Sequence, residues 1–156
     1  HGIFAVSGIL YNHESPRRPE RFVTQKIARS AAEIAKGKRE KLKLGNIEAR
    51  RDWGFAGDYV KAIWMMLQKD TPDDYIVATG ESHSIKDFLQ AAFGHVGLDW
   101  EKWGEVDPTL IRTVDVGRLV GDYAKAREKL GWKPEVTFEE LVRMMVDSQL
   151  RKIEAA

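Results

Sequence analysis

The chain has no cysteine among its 156 residues, which excludes disulfide bonds, zinc–thiolate sites and thiol catalysis. It also has no apolar run long enough to span a bilayer and no recognisable signal peptide, so we expect a cytoplasmic protein without a membrane partner. Neither sign of charge is in excess, since 25 basic residues offset 24 acidic ones. This balance argues against a general binder of nucleic acid. A hydrophobic content of 43% is enough for one domain with a real core.

Strand-like and helix-like patterns alternate along the chain, which predicts an α/β fold. Residues 3–11 are almost continuously apolar, as in a strand buried on both faces. Apolar residues recur at helical spacing through residues 23–34, and Gly37 can end that helix. Capping boxes at residues 84–87 and 137–140 predict the starts of two further helices. The remaining predicted elements are short strands at 41–44 and 75–78, and helices at 59–67 and 122–131.

The segment behind the first predicted strand, residues 12–18, has the sequence Asn-His-Glu-Ser-Pro-Arg-Arg. It combines an amide, an imidazole, a carboxylate, a hydroxyl and two guanidinium groups. Ligands bind at the carboxyl ends of strands in open α/β sheets, and paired arginines can bind phosphate oxygens in bidentate fashion. In isolation the segment would be interpreted as an exposed, charged connection between a strand and a helix. The matches described next favour a binding role.

Further short segments match one protein family in order and spacing: residues 8–11, 22–27, 44–46, 51–54, 58–60, 72–75, 78–80, 106–108, 121–122, 125–126 and 130–134, together with Arg112. With residues 12–18, they resemble the GDP-mannose 4,6-dehydratases, a family of the extended short-chain dehydrogenase/reductase group. Residues 12–18 are the most specific part, because sister reductases and epimerases carry other residues after the asparagine. The resemblance covers nearly the whole chain.

The resemblance implies the C-terminal part of a Rossmann-type α/β fold, together with the smaller, mostly helical substrate-binding domain. Residues 1–156 would form the portion that binds the GDP-sugar, with 1–11 and about 56–80 belonging to the Rossmann sheet of the complete enzyme. We expect the missing N-terminal half, or another chain, to cover the apolar strand at 3–10. The complete enzyme is expected to be a homo-oligomer, either a dimer or a tetramer.

By resemblance, the activity is an intramolecular redox dehydration of GDP-D-mannose to GDP-4-dehydro-6-deoxy-D-mannose. NADP takes hydride from C4, water leaves across C5 and C6, and the hydride returns to C6. The family's glycine-rich loop and its Tyr-x-x-x-Lys pair are absent from this sequence. No catalytic residue is therefore assigned, and the chain is expected to be inactive alone. Two alternatives remain: a GDP-4-keto-6-deoxymannose reductase or another sugar-nucleotide enzyme of this group, and a non-catalytic sugar-nucleotide-binding fragment.

Four residues have roles in cofactor and phosphate binding by resemblance. His13 and Arg18 match positions that contact NADP, although His13 in isolation would be a loop histidine bonded to backbone. Lys26 and Arg51 match positions that contact the GDP phosphates, and Lys26 lies near a predicted helix start, where backbone N–H groups favour anions. Taken alone, Lys26 would be an ordinary exposed lysine and Arg51 would pair with a nearby aspartate.

By resemblance, the sugar-nucleotide pocket is completed by Asn12, Val23, Gly45, Arg112 and Asp115. An asparagine after a strand is in isolation most often a turn residue, whereas Gly45 permits close backbone approach. The family usually has glutamate where Asp115 stands, so this carboxylate reaches one methylene less far.

Other conspicuous side chains are interpreted structurally. The basic residues at 36–43 are typical of a solvated helix end, although a nucleic-acid patch is the alternative. His83 and His95 are far apart in sequence and are expected to lack carboxylate partners, so no metal site is predicted.

Overall fold

The computed structural model describes residues 2–111 and 118–155, which alternate short strands with helices. The strands are β1 (Ser7–Leu10), β2 (Asn12–Glu14), β3 (Leu42–Leu44), β4 (Arg50–Arg51), β5 (Trp53–Phe55), β6 (Asp74–Val77), β7 (His83–Ser84) and β8 (Gly104–Val106). The helices are α1 (Val23–Ala35), α2 (Ala56–Met66), α3 (Ile85–His95), α4 (Trp100–Trp103), α5 (Ala124–Leu130) and α6 (Phe138–Glu154), with a 3-10 helix, η1, at Pro108–Leu110. The predicted α/β organisation is confirmed.

The described strands form four pairs. The pairs β1–β6, β2–β5 and β3–β8 are parallel, whereas β4–β7 is antiparallel. In the second pair Asn12 stands opposite Trp53, so the start of β2 lies beside the chain that follows Arg51. Parallel strands require long crossover connections, and these connections include α1 and α2. The pairing therefore joins segments that are distant in sequence.

The predicted strand at residues 3–11 is shorter and more exposed than expected. Only Ser7–Leu10 forms a strand, and Ile9 is 55% exposed. The prediction that this strand is buried on both faces is therefore wrong for the described chain, in which β1 pairs along one edge with β6. A central strand needs neighbours on both edges. Four large apolar side chains of the run are exposed in this chain: Ile3, Phe4, Ile9 and Leu10.

The segment predicted to be a connection behind the first strand contains a strand of its own. Asn12, His13 and Glu14 form β2 and pair in register with residues 53–55. The side chains of successive residues in a strand point to opposite faces. This alternation places Asn12 and Glu14 on one side of β2 and His13 on the other.

The larger hydrophobic core lies among α1, α3 and α6. Helix α1 contributes Ile27, Ala28, Ala31 and Ile34, which recur at helical spacing and are buried. The two alanines are fully buried, and their small side chains let neighbouring helices approach closely. Burial of each large aliphatic side chain contributes about 1.5–3 kcal/mol, so this core fixes α1 in place.

A second core lies among α2, β6 and α5, and includes Tyr59, Tyr75 and Trp132. The predicted helix at residues 59–67 is confirmed, but its apolar residues do not share one buried face. Tyr59 is buried, whereas Val60, Ile63, Trp64 and Leu67 are exposed. Helix α2 therefore carries a second apolar surface that no described residue covers.

Two helix starts are capped as predicted. The hydroxyl of Ser84 accepts a hydrogen bond from the amide of Asp87, while the Asp87 carboxylate accepts one from the amide of Ser84. Thr137 and Glu140 form the same reciprocal arrangement, and the backbone amide of Thr137 lowers the pKa of Glu140. These capping boxes stabilise the starts of α3 and α6.

Candidate functional site

A cavity of about 450 Å³ opens between β2, the start of α1, the residues after β3, and β4. Nine site residues are predicted from the sequence, and six of them line this cavity: Asn12, Arg18, Val23, Lys26, Gly45 and Arg51. The predicted residues Arg112 and Asp115 lie outside the described residues. The structure thus brings together most of the predicted binding residues, including Lys26 and Arg51 from separate elements.

The first turn of α1 faces this cavity and is not capped by a side chain. Phe22 precedes the helix without a side-chain hydrogen bond to it, and the first turn contains no acidic residue. Phe22, Val23 and Thr24 line the cavity. The free N–H groups at a helix start, with the helix dipole, favour an anion. The start of α1 can therefore bind a phosphate group.

Lys26 lies one turn into α1 and is tied to the neighbouring strand. Its ammonium group donates a hydrogen bond of 2.6 Å to the backbone oxygen of Lys43 in β3. Burial, together with the nearby charge of Arg39, lowers the pKa of Lys26. The side chain is therefore held at the cavity wall by β3.

Arg51 lies in β4 and is held by the backbone beside it. One terminal nitrogen donates a hydrogen bond of 2.6 Å to the backbone oxygen of Arg50. The adjacent Asp52, which the sequence offers as a salt-bridge partner, accepts hydrogen bonds from the backbone amides of Thr79, Gly80 and Gly121. The carboxylate of Asp52 thus serves to connect chain segments.

Gly45 is required by a close approach within the chain. A Cβ atom at this position would overlap the backbone oxygen of Leu110, at the end of η1. The sequence predicts close backbone approach at Gly45, and the structure shows that η1 is the segment that approaches. The glycine therefore shapes the cavity wall, to which Leu110 also contributes.

Glu14 is a cavity residue that the sequence reasoning missed. Its side chain is only 2% exposed, and it accepts a hydrogen bond of 2.7 Å from the hydroxyl of Thr24. The same carboxylate oxygen lies 3.1 Å from Nε of Arg18. Burial raises the pKa of Glu14, although Thr24, Arg18 and His13 act in the opposite direction. Once β2 is known, strand alternation places Glu14 on the same side as Asn12, but the sequence alone predicts no strand there.

His13 is the described site residue that does not line the cavity. Its Nδ1 lies 3.0 Å from the backbone oxygen of Tyr11, and its ring centroid lies 5.4 Å from that of Tyr59. This position follows from its place between Asn12 and Glu14 in β2. Its predicted contact with NADP stays a prediction.

The other histidines do have carboxylate partners, contrary to expectation. Nε2 of His83 lies 3.3 Å from Glu81, and Nε2 of His95 lies 2.6 Å from Asp147. Among residues 2–111 and 118–155, no three histidine, cysteine or acidic side chains are placed to hold a metal ion. No helix in this part of the chain is long and apolar enough to cross a membrane.

The sequence model of the family described as GDP-mannose 4,6 dehydratase matches residues 1–145. The chain belongs to this family. It is 58% identical over 150 residues to GDP-mannose 4,6 dehydratase 1 of Arabidopsis thaliana, and the match covers 96% of this chain and 42% of the relative. It is 47% identical over 167 residues to the human GDP-mannose 4,6 dehydratase, covering 96% of this chain and 45% of that protein. The chain thus matches the C-terminal part of its relatives and spans less than half of their length.

Solved structures show the same fold. The structure of RMD from Pseudomonas aeruginosa complexed with NADPH superposes with a TM-score of 0.89 at 22% identity, over 97% of this chain and 50% of that one. The UDP-glucose 4-epimerase of Thermus thermophilus, in complex with NAD, gives a TM-score of 0.74 at 28% identity. The match covers 92% of this chain and 46% of that one. The predicted fold, the C-terminal part of a Rossmann-type short-chain dehydrogenase/reductase, is confirmed.

Proposed function

We propose that the chain is the sugar-nucleotide-binding portion of a GDP-mannose 4,6-dehydratase. The observation that carries this proposal is the convergence of Lys26, Arg51 and the uncapped start of α1 on one cavity. Two cations and a helix N-terminus around one space suit a diphosphate. Family membership and the names of the relatives support GDP-mannose as the ligand.

In this proposal, different cavity residues bind different parts of the ligand. Lys26 binds the diphosphate as a point charge, while the planar guanidinium of Arg51 binds it in bidentate fashion. Asn12 has an amide that can both donate to and accept from hydroxyl or phosphate groups. Val23 contributes an apolar side chain to the cavity wall, and Gly45 contributes backbone. Arg112 and Asp115 are assigned to the nucleotide by resemblance alone.

NADP is the proposed cofactor, and when bound it would supply the group that accepts and returns hydride. Arg18 suits one of its phosphate groups, because its guanidinium forms an ion pair with Glu14 and packs with one face on the ring of Phe22. Within the described part of the chain, the terminal nitrogens of Arg18 have no hydrogen-bond partner. His13, on the opposite side of β2, is assigned to NADP by resemblance.

An N-terminal portion is proposed to complete the fold and the active site. Two apolar surfaces favour this: the strand β1, which pairs along one edge only among the described residues, and the outer face of α2 with Trp64. In this proposal residues 1–11 and about 56–80 belong to the Rossmann sheet of the complete enzyme. We also propose that the complete enzyme is a dimer or tetramer, which light scattering would measure.

The experiment that tests binding is calorimetric titration of the chain with GDP-mannose and with GDP. Saturable binding with one site is expected, and binding should weaken as salt concentration rises because the ligand is anionic. If the folded protein bound neither GDP-mannose nor GDP, the proposed site would be contradicted.

Turnover is tested in two steps. The chain alone, incubated with GDP-mannose and NADP, is expected to give no 4-keto product, because it has neither a glycine-rich loop nor a Tyr-x-x-x-Lys pair. Combined with an N-terminal portion, it should form that product without consuming added NADPH. Stoichiometric NADPH consumption with the keto sugar as substrate would instead indicate the sister reductase.

A further inference from the structure

The carboxylate of Glu14 joins two parts of the cavity wall. It stands at the end of β2, is almost fully buried, and lines the cavity. Its Oε2 accepts the hydrogen bond from Thr24, in the first turn of α1, and also lies against Nε of Arg18. One oxygen atom therefore links the strand, the helix start and the guanidinium.

Arg18 is constrained on two sides. Its guanidinium carbon lies 3.5 Å from the centroid of the Phe22 ring, while its Nε lies 3.1 Å from Glu14. A guanidinium has five N–H donors in a fixed planar arrangement. Contact at Nε and at one face leaves the two terminal nitrogens as donors for a ligand, in an orientation set before the ligand arrives.

A gain in folding stability does not by itself explain why Glu14 and Arg18 form a buried ion pair. Attraction within a buried ion pair is largely offset by the desolvation of both charges, so such a pair adds little net stability. A buried carboxylate next to a site for phosphate would also repel the ligand if it were unpaired. Pairing with Arg18 neutralises this charge and uses the carboxylate to direct the cation.

We infer that Glu14 is a positioning residue, whose ion pair with Arg18 holds the guanidinium so that its terminal nitrogens remain available to a phosphate group. The hydrogen bond with Thr24 fixes this guanidinium relative to the phosphate-binding start of α1. This inference rests on the proposed function for the identity of the phosphate, which belongs to NADP. Pre-organised donors bind more tightly because less conformational entropy is lost on binding.

The test uses Glu14→Gln in the 156-residue chain and two measurements. The first is the ¹⁵N–¹H signal of Arg18 Nε, which is buried in the unsubstituted chain and should become accessible to solvent exchange in the variant, because the guanidinium is no longer held by the ion pair. The second is titration with NADP and, separately, with GDP. We expect NADP affinity to fall about tenfold while GDP affinity changes by less than about twofold.

Two variants distinguish positioning from a general loss of structure. In an Arg18→Gln background, Glu14→Gln should have no further effect on NADP affinity, because Glu14 acts through Arg18. Glu20→Gln is the matched control, since Glu20 pairs with Arg29 in the same region and does not line the cavity. It should leave the affinity for NADP unchanged.

Specific outcomes would overturn the inference. These are an unchanged Arg18 Nε signal in Glu14→Gln, an equal loss of GDP and NADP affinity, or an additive effect in the Arg18→Gln background. Failure of the folded, unsubstituted chain to bind NADP while GDP still binds would also overturn it, but would leave the sugar-nucleotide site standing. Failure to bind GDP would instead count against the proposed function.

Discussion

The backbone amide of Gly121 donates a hydrogen bond of 3.1 Å to the carboxylate of Asp52, which lies 69 residues earlier in the chain. Asp52 is fully buried and also accepts from the amides of Thr79 and Gly80 and from the Thr79 hydroxyl. A buried carboxylate is tolerated when its oxygens are fully hydrogen-bonded. Asp52 therefore fastens three chain segments together directly beside Arg51.

Replacement of Asp52 by asparagine should destabilise the fold strongly. The new NH₂ group would face backbone N–H groups that need an acceptor, leaving buried donors unsatisfied. We expect the free energy of unfolding to fall by about 2–5 kcal/mol, measured by urea denaturation. Asp73→Asn is the matched control, because Asp73 forms an exposed ion pair with Lys125, and stability should hardly change. Similar losses in both variants would contradict the assigned role of Asp52.

Arg51→Ala should weaken binding of GDP and GDP-mannose without unfolding the chain. The loss of a bidentate cation at the cavity is expected to cost at least about tenfold in affinity, measured by calorimetry. Arg51→Lys should recover part of it, because the charge is kept but the planar arrangement of donors is lost. Arg143→Ala on α6, outside the cavity lining, is the control. If Arg51→Ala and the unsubstituted chain bound GDP with equal affinity, Arg51 would not be a residue of the binding site.

Glycine-to-alanine substitutions should have opposite effects at two positions. At Gly45 the added Cβ would overlap Leu110, so both stability and GDP affinity should fall. At Gly94, within α3, a Cβ would meet open space, so alanine should raise the free energy of unfolding by about 0.4–1 kcal/mol. Thermal denaturation measures both changes. A neutral Gly45→Ala variant would mean that η1 can move away without consequence.

The raised pKa of Glu14 predicts a specific pH dependence. Because the folded-state pKa lies above the ordinary value of 4.5, the folded chain binds this proton more tightly than the unfolded chain does. The contribution of Glu14 to stability is therefore greatest below pH 4.5 and decreases as the pH rises towards the folded-state pKa. The difference in unfolding free energy between the chain and Glu14→Gln, measured by urea denaturation from pH 4 to 7, should decrease accordingly. If this difference in unfolding free energy increased with pH, the direction of the pKa shift assigned to Glu14 would be contradicted.

The outer face of α2 should be needed for assembly but not for folding. Ile63 and Trp64 are exposed, so Ile63→Lys and Trp64→Lys should leave the thermal stability of the chain nearly unchanged. Both should prevent co-purification with an N-terminal portion, because a charge would be buried in an apolar contact. Lys61→Ala, on the same helix, is the control. Retained assembly of the charged variants would place the contact elsewhere.

Local signals account for the parts of the fold that were predicted correctly. Helices α3 and α6 begin at capping boxes whose two partners are three residues apart, and α1 ends just before Gly37, where φ is 67°. Each signal acts within one turn of chain, so no knowledge of distant residues is needed. The family resemblance then supplied the positions that converge on the cavity.

Contacts between distant segments account for what was missed. Residues 12–14 form a strand because residues 53–55 lie beside them, and nothing in the local sequence specifies that neighbour. The split of the apolar residues of α2 into a buried and an exposed face likewise depends on what packs on each side. The roles of Glu14 and Asp52 arise from hydrogen-bond donors elsewhere in the chain.

The packing of α1 against α6 joins two parts of the larger core that are synthesised far apart in time. Lys36, just after α1, pairs with Glu154, which is 118 residues further along the chain. At about 5–20 residues per second, α1 leaves the ribosome roughly ten seconds before its partner helix is complete. During this interval the part of the α1 surface that packs on α6 is not covered by that helix. The core that holds α1, and with it the cavity wall at its first turn, is therefore complete only after α6 has been made.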